Sequence, residues 1–306
     1  MTSAPVRRRR RALVAVVGVV AVAAAGALAV DALRDGRGLP GSDSRCTATA
    51  GGESHGFTAD RTAVAALVAA RAQARGLPPR AATIGIATAI QESGLRNLDH
   101  GDRDSLGIFQ QRPSQGWGTP AQVTDPVYAT DAFYDGLVEV EGYTEIEVND
   151  AAQEVQRSGF PTAYADHEGE ARVFASALTG HSPAALVCRL PAVEETGDGL
   201  PPVVGDDGLT PRAREVVERA AAELDEEGLA ARPDAGGVVV VRDHGADEEG
   251  VRAGWALAQW AVATAVGTDV VEVATDGRRW SRDGDAAWVA DADAPGPGAV
   301  EVVVAG

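Results

Sequence analysis

Apolar residues recur along this chain at two spacings, and the run that organises it lies between Pro79 and Gly94. Between Arg80 and Glu92 there is no charge, and the polar groups before Gln91 are two threonine hydroxyls. Proline suits the first turn of a helix and glycine its end, so the pattern predicts a helix that is apolar on nearly every side and therefore central. Ala81, Gly85, Thr88 and Glu92 follow helical spacing, which predicts a face of small residues leading to the Glu and leaving room beside it. Helical spacing also marks Thr58–Arg75, with Asp60 as a cap and Val64, Leu67, Val68 and Arg71 in register. Further helices are predicted at Val127–Val138 behind Asp125-Pro126, at Val148–Arg157 and at Glu168–Leu178.

After residue 208 the spacing changes. A helix over Pro211–Asp225 precedes a strand at Val238–Val241, and a helix with Trp255 and Trp260 covers Val251–Val266. Strands follow at Val270–Ala274 and Val300–Val304, with a short pair at Gly277–Ser281 and Ala286–Ala290. This reads as a small α/β domain, residues 208–306, joined through a linker at 191–207 that is rich in Pro, Gly and acids.

At the other end, residues 1–11 hold five consecutive arginines and no acid, and Ala12 to Val30 has no charged or polar side chain. A run of that length is close to the roughly 30 Å of a bilayer core. The expectation is a single transmembrane anchor at 12–33, with a cytoplasmic basic tail and the bulk of the chain extracellular. The alternative is a cleaved signal, for which Ala27-Leu28-Ala29 would serve, followed by secretion. Residues 34–45 read as a tether.

Composition narrows the partners. The chain carries a formal charge of −18, with no lysine at all. Such acidity argues against nucleic acid and against anionic wall polymers, and leaves a neutral glycan as the better ligand.

Burial and the negative end of a helix dipole both disfavour an ionised Glu92, and an acid that keeps its proton near neutrality is what general-acid catalysis needs. A surface Glu at a frayed helix end is the plain alternative. Fifteen residues on come Gly107-Ile108-Phe109-Gln110-Gln111 and then Arg112-Pro113-Ser114-Gln115-Gly116-Trp117-Gly118. Glu92-Ser93 closing a buried helix, followed by this segment, resembles the lysozyme-like and soluble lytic transglycosylase superfamily, as found in actinobacterial wall proteins and phage endolysins. The resemblance covers residues 46–190. It implies a mainly α fold, Glu92 as catalytic acid with Ser93 beside it, peptidoglycan glycan strands as substrate, and Gln110 and Tyr164 in the substrate cleft. By residue type Gln110, Gln111, Gln115 and Trp117 suit a sugar, the amides for its hydroxyls and the indole for its apolar face; the alternative is that Phe109 and Trp117 are core residues. Tyr164 lacks the usual Ala-Tyr-Asn-Ala-Gly surroundings. The C-terminal domain faintly resembles D-Ala-D-Ala carboxypeptidase-like domains, but His244 is its single histidine, too few for a zinc ligand set, so it is expected to be non-catalytic. No cofactor or metal is implied.

Three acids in the following loop, Asp99, Asp102 and Asp104, admit three readings. One could activate water in an inverting hydrolase, all three could hold calcium, or they could brace a solvated turn. His167 beside Glu168 reads as a surface pair. The two cysteines, Cys46 and Cys188, bracket the lysozyme-like region and are expected to form a structural disulfide. The sequence thus points to a wall-facing enzyme cleaving β-1,4 glycosidic bonds. The alternatives are a non-enzymatic wall-binding module and a membrane-anchored scaffold.

Overall fold

The structure, a computed structural model, describes residues 44–305 except 161, 194–204, 207, 227–228 and 235–236. The basic tail, the apolar run at 12–33 and most of the expected linker lie outside the described residues. Among the described residues, no helix is long and apolar enough to cross a membrane.

Strands β1 (Arg45–Ala50) and β2 (Glu53–Thr58) open the fold as a hairpin. Helices α1 (Ala59–Ala74), α2 (Pro79–Ser93), α3 (Pro120–Val123), α4 (Pro126–Val138), α5 (Val148–Gln156) and α6 (Glu168–Leu178) follow. Strand β3 (Leu186–Arg189) returns to pair antiparallel with β1, giving a three-stranded sheet ordered β2-β1-β3. Beyond it come α7 (Pro211–Leu224), β4 (Ala230–Asp234), β5 (Gly237–Asp243), α8 (Glu248–Thr268), β6 (Val270–Thr275), β7 (Arg278–Ser281), β8 (Val289–Ala290) and β9 (Ala299–Ala305). These strands form a second antiparallel sheet, ordered β4-β5-β9-β6-β7-β8.

The expected architecture of the described residues, a mainly α lysozyme-like domain followed by a small α/β domain, is therefore corrected; the expected membrane helix lies outside the described residues. The chain from Ser44 onward is one compact mixed α/β unit with two antiparallel sheets. The helical region carries a sheet of its own because Cys46 and Ala48 point inward at strand spacing while Gly51 and Gly52 turn the chain. Cys46 lies directly opposite Cys188 in the β1–β3 register, and the two sulfurs are bonded.

The two regions share a core because α8 is apolar all round. It packs on β6 and β9 with one face and on α1, α6 and β3 with the other. Buried Gln259 of α8 locks that second face. Its amide nitrogen donates to the carbonyls of Ala177 and Ser182, at 2.6 and 3.1 Å, and its oxygen accepts from the Ala185 and Leu186 N–H groups, at 2.9 and 2.7 Å. Four partners satisfy an otherwise costly buried amide. Trp280 and Trp288 donate indole N–H groups to the carbonyls of Cys188 and Leu186. Buried Arg282 donates to the carbonyls of Pro191, Ala265 and Val270. Through these bonds the last third of the chain holds β3, and β3 holds β1.

Candidate functional site

Helix α2 runs through the middle of the helical region, with every residue from Ala81 to Ile90 buried. Its small-residue face does not border a cleft, as the spacing suggested. A Cβ on Gly85 would come within 2.7 Å of the Tyr134 hydroxyl and 2.9 Å of a Val68 methyl, so the face admits close helix packing. Tyr134 reaches across it to donate to the Val68 carbonyl at 2.9 Å. Gly94 then ends the helix in the left-handed region, φ 64°, a conformation glycine adopts without a Cβ penalty.

Glu92 sits on that last turn, half-buried. The Tyr164 hydroxyl donates to Glu92 Oε1 at 2.6 Å, and the Gln156 side chain also hydrogen-bonds the carboxylate. Burial pushes the Glu92 pKa above the ordinary glutamate range, and the two hydrogen bonds offset part of that rise. Tyr164 is fully buried, and burial together with the neighbouring carboxylate pushes its own pKa up, so it remains a donor. Both donors to Glu92 are neutral, which leaves the carboxyl free to exist in either protonation state.

The donors arrive from one stretch of chain. Helix α5 ends at Arg157, in the left-handed region at φ 53°. Gln156, just before this break, also donates to the Phe109 carbonyl at 2.8 Å, so its amide ties the Gly107–Gln111 segment to the acid. Tyr164 leads into a short 3₁₀ turn, Ala165–His167. From that turn, His167 Nε2 meets Gln91 Oε1 at 3.1 Å and Nδ1 meets Glu170 Oε1 at 2.9 Å. The tyrosine turn is thereby fastened to the last turn of α2 at two adjacent residues, Gln91 and Glu92. His167 pairs with Glu170 rather than with its neighbour Glu168.

Of the expected cleft residues, the structure brings Glu92 and Tyr164 together and turns the others to structural work. The Ser93 hydroxyl donates to the Ala89 carbonyl and accepts from the Arg96 N–H, capping the helix end. Gln110 Nε2 is tied to the carbonyls of His100 and Gly107, bracing its own loop. Gln111 is buried, with Nε2 donating to the Ala129 carbonyl. Trp117 is half-buried against the core, its carbonyl accepting from the Tyr128 hydroxyl. Phe109 is a core residue stacked on Phe133, centroids 4.5 Å apart.

Asp104 accepts from Arg112 Nε and from the Ser114 N–H and hydroxyl, which hold its pKa down to about 2. It braces a turn. The side chains of Asp99 and Asp102 are 96% and 92% exposed; Asp99 pairs with its neighbour His100 at 2.7 Å and Asp102 with its neighbour Arg103 at 3.9 Å, so both are solvated surface pairs. Among the described residues, no cluster of three His, Cys, Asp or Glu residues could hold a metal ion.

Gln156 was missed from sequence because a glutamine at a helix end is ordinary and its role depends on a contact across 64 residues. The run Gln156-Arg157-Ser158-Gly159, which breaks the helix shortly before Tyr164, was the one available signal. Compared with protein-family models and with curated proteins, the chain matches none.

Proposed function

We propose that this protein cleaves the β-1,4 glycosidic bond of peptidoglycan glycan strands, with Glu92 as general acid. The observation that carries the reading is the half-buried carboxyl at the end of α2, raised in pKa and hydrogen-bonded by the neutral donors Tyr164 and Gln156. An acid in that setting keeps its proton toward neutrality and can pass it to a leaving oxygen. Protonation of the glycosidic oxygen by Glu92 breaks the bond to the anomeric carbon. Tyr164 and Gln156 then stabilise the carboxylate that remains, because both can donate to it.

The lyase course is favoured over the hydrolase. Two-carboxylate hydrolysis needs a second acid poised to act on water or on the sugar. The three acids of the following loop are a turn brace, Asp104, and two exposed side chains, Asp99 and Asp102. In the lyase course Glu92, now a carboxylate, takes the proton of the sugar's own C6 hydroxyl while that oxygen closes on the anomeric carbon. One carboxyl then serves both steps.

The test is digestion of purified peptidoglycan by the full chain and by Glu92→Gln, with mass analysis of the sugar ends. Anhydro ends from wild type and a loss of about 10²–10⁴-fold in Glu92→Gln are expected. Retained glycan binding without cleavage by either protein would instead assign a non-enzymatic wall-binding module.

A further inference from the structure

One aromatic side chain stands out from the rest. Phe160 is 74% exposed, whereas every other phenylalanine, tryptophan and tyrosine of the chain is buried or half-buried. Leaving a phenyl ring in water forgoes a stabilisation that the other aromatic residues obtain. The ring is also not on a slack loop. Gln153 Nε2 donates to the Ser158 carbonyl at 2.6 Å, the Phe160 N–H donates to Ser158 Oγ at 3.2 Å, and the Ala163 N–H meets the Phe160 carbonyl at 3.3 Å.

Those bonds lead to the acid. The Ser158 side chain hydrogen-bonds Tyr164, and the Tyr164 hydroxyl is 2.6 Å from Glu92 Oε1. Glu92, Tyr164, Ser158 and the Phe160 backbone are thus linked in series, and Phe160 stands on the segment that carries the donor to the acid, four residues before it. At that spacing its ring can meet a sugar bound next to the one at Glu92. We propose that Phe160 is a saccharide subsite: its exposed ring supplies the apolar platform for the C–H face of a pyranose bound next to the one undergoing cleavage. Trp117, the aromatic expected for this task, lies against the core.

The inference rests on the glycan-cleaving reading of Glu92 and names a binding determinant for it. Phe160 is exposed, so its replacement leaves the core intact. In the full chain, Phe160→Ala is expected to raise KM for soluble glycan strands about tenfold while kcat stays within about twofold, the scale of losing one aromatic anchor. Phe160→Trp should restore KM, and its added indole emission should shift to the blue when a chito-oligosaccharide is titrated into a Glu92→Gln background. Wild-type cleavage with an unchanged KM in Phe160→Ala overturns the subsite and leaves the catalytic reading standing. Absence of both cleavage and glycan binding in wild type overturns both. An emission shift produced by phospholipid vesicles and not by oligosaccharide also overturns it, and assigns the ring to a lipid surface.

Discussion

Glu92 and Glu223 are both glutamates that burial has pushed up in pKa, and the fold holds them in opposite ways. Glu223, in α7, is 4% exposed; it accepts from Arg219 Nε and from the Trp260 indole N–H, each at 2.7 Å. Its charge is matched by a guanidinium and its approach is closed. Glu92 is half-buried and takes its hydrogen bonds from a phenol and an amide, neither of them charged. Burial alone therefore does not mark a reactive acid. An open side and the lack of a fixed countercharge distinguish the carboxyl that can trade a proton from the one that ties helices together.

The sharpest way to break this contrast is Glu223→Ala. It strands the Trp260 indole N–H and the Arg219 guanidinium at the α7–α8 contact, and should cost about 3 kcal/mol of unfolding free energy, the lower end for a broken buried pair because Arg219 is partly exposed. Turnover of the folded fraction should stay within a few-fold of wild type. Denaturant unfolding beside glycan digestion decides it, and a collapse of turnover without loss of stability would erase the distinction.

Tyr164→Phe comes next. It removes the donor at 2.6 Å and should lower kcat/KM about tenfold, as expected for one hydrogen bond to a charged group. The sign of the accompanying pH effect is fixed: the tyrosine bond lowers the Glu92 pKa, so its loss lets that pKa rise further. A general acid works protonated, so the basic limb of the pH–rate profile should move upward even as the maximum falls. A limb that stays put would separate Tyr164 from the acid.

The smallest effect concerns stability. Because the folded pKa of Glu92 lies above its unfolded value, folding favours the protonated form; the contribution of Glu92 to stability is fully present below the ordinary glutamate range and declines as pH rises through that range to the folded pKa. Glu92→Gln carries no such charge. It should be more stable than wild type at neutral pH by about 0.5 kcal/mol or more, with the gap closing in acid. Thermal melts at several pH values check this, and equal stability at all of them would show that the site stores no such cost.

Much of the helical scaffold was legible in the residues. The apolar run bounded by Pro79 and Gly94 sets α2 at Pro79–Ser93, and the expected helix at Glu168–Leu178 coincides with α6. Glu92 stood out because an acid ends an otherwise uncharged helix. The first sheet was hidden because β1 and β2, Arg-Cys-Thr-Ala-Thr-Ala and Glu-Ser-His-Gly-Phe-Thr, hold no run of Val or Ile and β3 is four residues long, so strand propensity gave little signal. The shared core was hidden for another reason. Trp255 and Trp260 mark a helix, but nothing in the residue pattern says that α1 and β3 pack on the face opposite the sheet, with Gln259 between them. Side-chain direction explains the cleft residues. Gln111 and Trp117 are of types that suit a sugar, but residue type does not fix which way a loop side chain turns, and these turn inward.

The β1–β3 pairing has a temporal consequence. Residue 46 must find residue 188, a separation of 142, and β3 in turn offers its carbonyls to Trp280 and Trp288 near the far end of the chain. At the pace of ribosomal synthesis, roughly 5–20 residues per second, β1 waits on the order of ten seconds for its second partner strand, β3, and longer for the tryptophans that cover β3. During that interval the β1–β2 hairpin and the adjacent helices α1 and α2 can form, since their contacts are short in sequence, while the β1–β3 pairing, the disulfide and the packing of α6 on α2 cannot. Assembly therefore leaves one edge open: β1, β2, α1 and α2 are available early, and the β3-facing edge of the first strand is among the last to be secured.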